Sequence, residues 1–163
     1  MNQIKNLSLI GIFMAFVVIA LGAWTRLVDA GLGCPDWPGC YGFVFWPNDE
    51  AEIALAESRF PMFPYDINKA IPEQVHRLFA ASLGLLAIIL VYLSVIKTNN
   101  KSMQRWSAFL LLLICCQGLF GYLTVSLKLL PIIVTIHLFG GFATLTLLYF
   151  CLLYTSPSPR DNR

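Results

Sequence analysis

The sequence predicts an all-α membrane protein: a bundle of four transmembrane helices, both termini on the inner side, with a long outer loop between the first and second spans. Three observations predict it. The chain of 163 residues is 58% hydrophobic and only 12% charged, against about 25% charged in soluble globular domains. Its mean hydropathy is +0.71, and its apolar runs are long enough to cross a bilayer core of roughly 30 Å at about 1.5 Å per residue. Its basic residues are distributed unevenly, which orients the spans.

The first run, from about 7 to 24, lies between Lys5 and Arg26. It is longer than the apolar core of a secretory signal peptide and ends without a small-residue cleavage site, so it reads as a retained first span. Trp24 stands where interfacial aromatics belong. Residues 25–71 form a loop rich in Pro, Gly, aromatic and acidic residues, within which 51–58 (AEIALAES) is expected to make a short surface helix. Long connections of this kind usually carry function.

The second span, from about 73 to 96, opens at Pro72. Proline suits the first helical position, because its missing N–H has no partner there, and Glu73 then falls in the positive first turn. The link 97–105 holds Lys97, Lys101 and Arg105 and no acid, which assigns it to the cytoplasmic side. The third span covers about 106–127, residues 128–131 turn tightly, and the fourth covers about 131–154. Residues 1–153 therefore form one four-helix unit. The stretch 154–163 is expected to be a non-native or disordered Ser/Pro tail. The net charge is +2, and eight of the nine acidic residues lie between Asp29 and Glu73. Without a basic stripe, nucleic-acid binding is excluded.

The ionisable residues at membrane depth mark the candidate site. Glu73 and His76 are three residues apart and share one helix face. The second and fourth spans run in the same direction, and His137 lies about 9 Å past Pro131 at 1.5 Å per residue. His76 and His137 are thus expected at similar depth in the outer half of the bilayer. Two inward-facing histidines on separate helices suit the axial positions of a haem iron. Gly84, Gly140 and Gly141 would let a flat macrocycle approach the backbone, and Arg26 and Arg77 would pair with haem propionates. The competing account gives each histidine only an interhelical hydrogen bond. A zinc site needs three or four ligands, and only two good ones stand here. Cys34 and Cys40 bracket Pro-Asp-Trp-Pro-Gly in the outer loop, as a disulfide or a redox-active pair. Cys115, Cys116 and Cys151 read as small apolar fillers within spans. Gln117 is a polar side chain at membrane depth, with interhelical packing as its leading role.

In order along the chain, GAWTRL at 22–27, AGLGCPDWPGCYG at 30–42, EQVHR at 73–77, QGLFG at 117–121 and HLFGG at 137–141 resemble the haem A synthase family. The resemblance runs from the first span to about Phe150. It implies a multi-pass protein of the bacterial inner membrane that oxidises the C8 methyl of haem O to a formyl group by successive hydroxylations, giving haem A for terminal oxidases. His76 and His137 match the family's amino-terminal histidine pair, associated with haem O. Glu73 matches its outer-face glutamate, implicated in catalysis, and Cys34 and Cys40 match its first outer-loop cysteine pair. The resemblance also implies a second, carboxyl-terminal four-helix half with a haem b site, which this sequence does not contain. Beyond haem O and lipid, the candidate partners are haem O synthase, terminal-oxidase assembly factors and a second copy of the chain. The alternative function is a b-type bis-histidine cytochrome that only passes electrons in the membrane.

Overall fold

A computed structural model describes residues 2–155. Helices α1 (Asn2–Leu27), α3 (Ile67–Lys97), α4 (Lys101–Ser126) and α5 (Pro131–Leu153) are each long and apolar enough to cross a membrane. They make this a multi-pass membrane protein. The short α2 (Glu50–Arg59) is the helix expected within the long loop; Asp49 caps it by accepting from the Glu52 N–H at 2.8 Å. No strand occurs among the described residues beyond an isolated bridge between Cys40 and Phe43.

The four long helices close a ring. Helix α1 packs on α3 and α5, and α4 packs on α3 and α5. Chain neighbours run antiparallel, so α3 and α5 are parallel and stand diagonally across the bundle. This diagonal pair carries the two histidines.

The helices extend beyond the apolar runs. The largest difference is at α3, which begins six residues before Glu73 rather than at Pro72. The cause is Asp66, whose carboxylate accepts from the Asn68 N–H at 2.9 Å and starts the helix there. Pro72 is therefore inside the helix, where it withholds one backbone hydrogen bond, and Glu73 lies beyond the first turn. The α4–α5 turn places Lys128 and Leu129 at φ 48° and 60°. Leu129 packs on Gly31, tying this turn to the start of the long loop. At the other end Trp106 stacks on Tyr154, which with Thr155 turns the chain out of α5. The remainder of the expected tail, 156–163, lies outside the described residues.

The apolar core is lopsided. Ile4, Ala15, Leu83, Leu86, Leu90, Met103, Leu110, Leu148 and Cys151 are buried together in the half of the bundle farther from the long loop. Among the described residues, no large apolar side chain of the spans is fully buried in the loop-side half. That half holds His76 and His137 instead. Cys151 is a buried filler as expected; Cys115 and Cys116 are not, because α4 turns both to the outside of the bundle.

The long loop has a small core of its own. Cys34, Cys40, Tyr41, Ala56 and Ala70 are buried together, with Phe43, Trp46, Phe60 and Tyr65 packed around them. Gly33 lies directly against the Lys69 backbone, where any Cβ would collide. The loop is therefore a compact cap on the bundle.

Candidate functional site

The stretch EQVHR at 73–77 turns two faces to two different tasks. Glu73, Gln74 and Arg77 hold the loop, whereas His76 faces the interior. Glu73 and His76 thus do not share the one working face that their spacing suggested: the carboxylate is drawn to Arg77 and the Cys34 N–H of the cap. Cys34 and Cys40 are joined by a disulfide, the first of the two states their spacing allowed. Glu73 accepts from the Cys34 N–H at 3.1 Å and forms an i,i+4 ion pair with Arg77. Arg77 also donates to the carbonyls of Asp36 at 2.7 Å, Gly39, and Cys34 at 3.5 Å. Gln74 is buried and donates to the Val44 carbonyl. One buried ion pair and one amide thus fasten the disulfide-closed segment and the residues after it, 34–44, to the start of α3.

Within that segment Asp36 accepts from the N–H groups of Tyr41 at 2.6 Å and Gly42 at 2.8 Å. Tyr41 donates its hydroxyl to the Pro64 carbonyl at 3.1 Å, and Tyr65 donates to the Pro47 carbonyl at 2.7 Å. Burial first, then Tyr65 and the carboxylates of Asp66 and Asp36, raises the pKa of Tyr41 above its ordinary value. Burial, then Asp66 and Glu52, raises that of Tyr65. Charged phenolates would face carboxylates here, so the neutral forms are favoured. Trp37, at the tip of the segment, reaches over to Tyr122 of α4 in an edge-to-face contact with centroids 6.0 Å apart.

The interior face brings the histidines together. The imidazoles of His76 and His137 face each other across the diagonal, with ring centroids 6.5 Å apart and ring planes at 87°. His76 rests on α1: its Nδ1 donates to the Val18 carbonyl at 3.1 Å. A carbonyl can only accept, so the neutral ring carries its proton on Nδ1 and its lone pair on Nε2. One turn along α1, Gly22 lies under the ring, where a Cβ would come within 2.9 Å of Cε1. His137 lies beside Gly121 of α4, and its buried Nδ1 has no hydrogen-bond partner among the described residues. No third His, Cys, Asp or Glu joins the pair among the described residues.

The other expected site residues divide. Arg26 is exposed at the loop end of α1, and its guanidinium has no hydrogen bond or ion pair among the described residues. Arg77 is committed to the loop. The glycines also differ from expectation: Gln117 lies where a Gly140 side chain would project, Ile19 covers Gly141, and Gly84 lies against Ile114. Gly22 and Gly121 are the ones against the imidazoles. Gln117 packs helix to helix, as its leading role implied. Sequence reasoning missed Gln74 as a loop anchor and Val18 as an acceptor. The first was signalled by an uncharged amide beside Glu73; the second acts through its backbone and leaves no side-chain signal.

The heme A synthase of Shewanella oneidensis is 43% identical over 155 residues, which is 95% of this chain and 46% of that protein. The heme A synthases of two Anaplasma marginale strains, Florida and St. Maries, are each 27% identical over 157 residues, covering 88% of this chain and 46% of theirs. The chain thus spans about half the length of the curated relatives it matches. No solved structure matches it. Residues 5–163 match the family described as cytochrome oxidase assembly protein, COX15-CtaA. The chain belongs to that family.

Proposed function

We propose that this chain forms a four-helix unit of a haem A synthase, which binds haem O between α3 and α5 and oxidises its C8 methyl group to a formyl group. The observation that carries this reading is the opposed histidine pair in the half of the bundle that lacks a packed apolar core. A metal–imidazole bond of about 2 Å, plus roughly 1 Å of ring radius, puts two trans imidazole centroids about 6 Å apart. The observed 6.5 Å leaves room for one iron that His76 and His137 would hold between them. Two histidines that served only as packing groups would each be expected to find an interhelical partner. His137 has none through its Nδ1 among the described residues.

In this reading the residues have separate tasks. His76 and His137 hold the iron and so fix how the macrocycle lies. Arg26, with free donors at the rim, pairs with a propionate. Arg77 serves the site indirectly, since its N–H groups already point at Glu73 and three loop carbonyls. Glu73 is the catalytic carboxylate of this reading. Its oxygens are held by Arg77 and the Cys34 N–H on the loop-facing side of α3, so it would act at the boundary between cap and bundle rather than beside the imidazoles. Converting a methyl to a formyl group with water as the oxygen source would release protons and electrons, and a carboxylate would receive protons or offset positive charge that develops at the reacting carbon. The electron acceptor is external to these residues.

The bacterial relatives support the bacterial inner membrane as the location. The basic link 97–105 faces the cytoplasm and the disulfide-bearing cap faces the oxidising side. Haem b is assigned to a further half of the kind the relatives' extra length allows. Haem O synthase and oxidase assembly factors are the partners consistent with the activity.

The test is pigment analysis. The full chain is expressed with haem O supplied, alone and with a carboxyl-terminal half, and the extracted pigments are separated. Haem A formed with the wild type and lost in E73A supports the assignment. Unchanged haem O bound in every sample supports the electron-carrying cytochrome instead, and full conversion by E73A removes Glu73 from catalysis.

A further inference from the structure

The two histidines are held unequally, and the difference lies in α1 rather than in the helices that carry them. His76 has a fixed seat. Its Nδ1–H is directed at the Val18 carbonyl, and the flat surface at Gly22 supports the ring: a Cβ there would lie 2.9, 3.4 and 3.5 Å from Cε1, Nδ1 and Nε2. The nearest of these, to Cε1, is closer than real Cβ atoms come, so a methyl group at Gly22 would press on the Cε1 corner of the ring. His137 has no such seat. Its Nδ1 is buried without an acceptor, and its nearest contact to Gly121 is an ordinary one, with a Cβ there 3.7 Å from Cε1.

For an imidazole ligand, the acceptor on the second nitrogen decides much of its strength. An Nδ1–H held by a carbonyl fixes the tautomer, orients the ring and makes Nε2 a better donor; losing such a partner typically costs about 10–100-fold in metal affinity or activity. Resting on the haem-binding reading above, we propose that α1 makes His76 the stronger of the two haem ligands, with Val18 and Gly22 as its positioning residues, and leaves His137 as the more readily exchanged one. The function supplies a reason for such a division. A haem that is substrate and product must arrive and depart, so both bonds would break in each cycle, and unequal ligands would let one release first while the other still keeps the macrocycle in register.

The experiment uses the full chain in detergent, loaded with protohaem, with the ferric and ferrous spectra read for spin state. The wild type is expected to be low-spin, with carbon monoxide displacing one imidazole in the ferrous form. H137A is expected to keep its haem as a five-coordinate, high-spin species that imidazole returns to low spin. H76A is expected to lose haem about 10–100-fold more readily. G22A, which drives a methyl against His76, is expected to lose low-spin character, whereas G121A is expected to retain it. Circular dichroism melts confirm that each variant is folded. Equal haem loss in H76A and H137A, the reverse order, or a low-spin G22A with wild-type affinity overturns the inequality while leaving haem binding intact. No haem in the folded wild type overturns both this inference and the functional reading.

Discussion

Replacing Arg77 with methionine removes the donor on which the cap depends. The side chains of Arg77 and Glu73 are each about 10% exposed, so the change leaves a buried carboxylate with only the Cys34 N–H for compensation. Removing one partner of a buried ion pair costs about 3–5 kcal/mol. The carbonyls of Asp36 and Gly39 lose their charged donor as well. Because these partners are all within the cap, the cost falls on its attachment rather than on the bundle. At about 1.4 kcal/mol per factor of ten, amide hydrogen exchange in segment 34–44 is expected to accelerate about a hundred- to a few-thousand-fold in R77M. Exchange in α4 and α5 should be unchanged. The double variant E73Q/R77M should cost less than the sum of its single changes by about 0.5–3 kcal/mol, since no isolated charge then stays buried. Wild-type protection of 34–44 in R77M, or strict additivity, would refute the clamp.

Three further predictions follow from other parts of the molecule. Tyr41 and Tyr65 have pKa values raised above the ordinary 10.0, so the folded cap binds their protons more tightly than the unfolded chain does. Their contribution is complete below pH 10 and declines as pH rises through the higher folded values; tyrosinate absorbance should show two late-titrating groups, and a cap that opens well below pH 10 for this reason would contradict it. Ser94 and Ser107 share a buried hydroxyl–hydroxyl bond of 2.8 Å between α3 and α4. Each hydroxyl also bonds a carbonyl of its own helix, Val91 for Ser94 and Gln104 for Ser107. Either alanine variant therefore removes the interhelical bond without stranding its partner and should cost about 0.5–1.5 kcal/mol, with the double variant costing little more than either alone; thermal melts in detergent measure this. Lys128 has a left-handed backbone at φ 48°, so Lys128→Gly should raise stability by about 1 kcal/mol. A lowered melting temperature would mean that the lysine side chain stabilises the turn by more than its backbone costs.

Much of the fold was legible because hydropathy and helix length share one cause, the thickness of the bilayer core. The spans, the α2 helix and the equal depth of the two histidines all follow from counting residues along helices. What counting cannot supply is helix rotation. Gly84, Gly140 and Gly141 looked suited to admit a macrocycle, yet Ile114, Gln117 and Ile19 face them, and the imidazoles meet Gly22 and Gly121. Pro72 carries a good N-terminal signal, but the stronger capping residue, Asp66, stands six positions earlier and starts the helix there. Arg77 looked free for propionates because its partners are backbone carbonyls of a folded loop, which no side-chain pattern announces. Gln74 is illegible for the same reason, its acceptor being the Val44 carbonyl.

The claim on which the rest depends is that His76 and His137 ligate one haem iron between α3 and α5. Near-infrared magnetic circular dichroism of the ferric, haem-loaded chain reports the identity of both axial ligands directly. The account predicts the charge-transfer band of a bis-imidazole haem in the wild type and its loss in both H76A and H137A. The same band in either variant would contradict it.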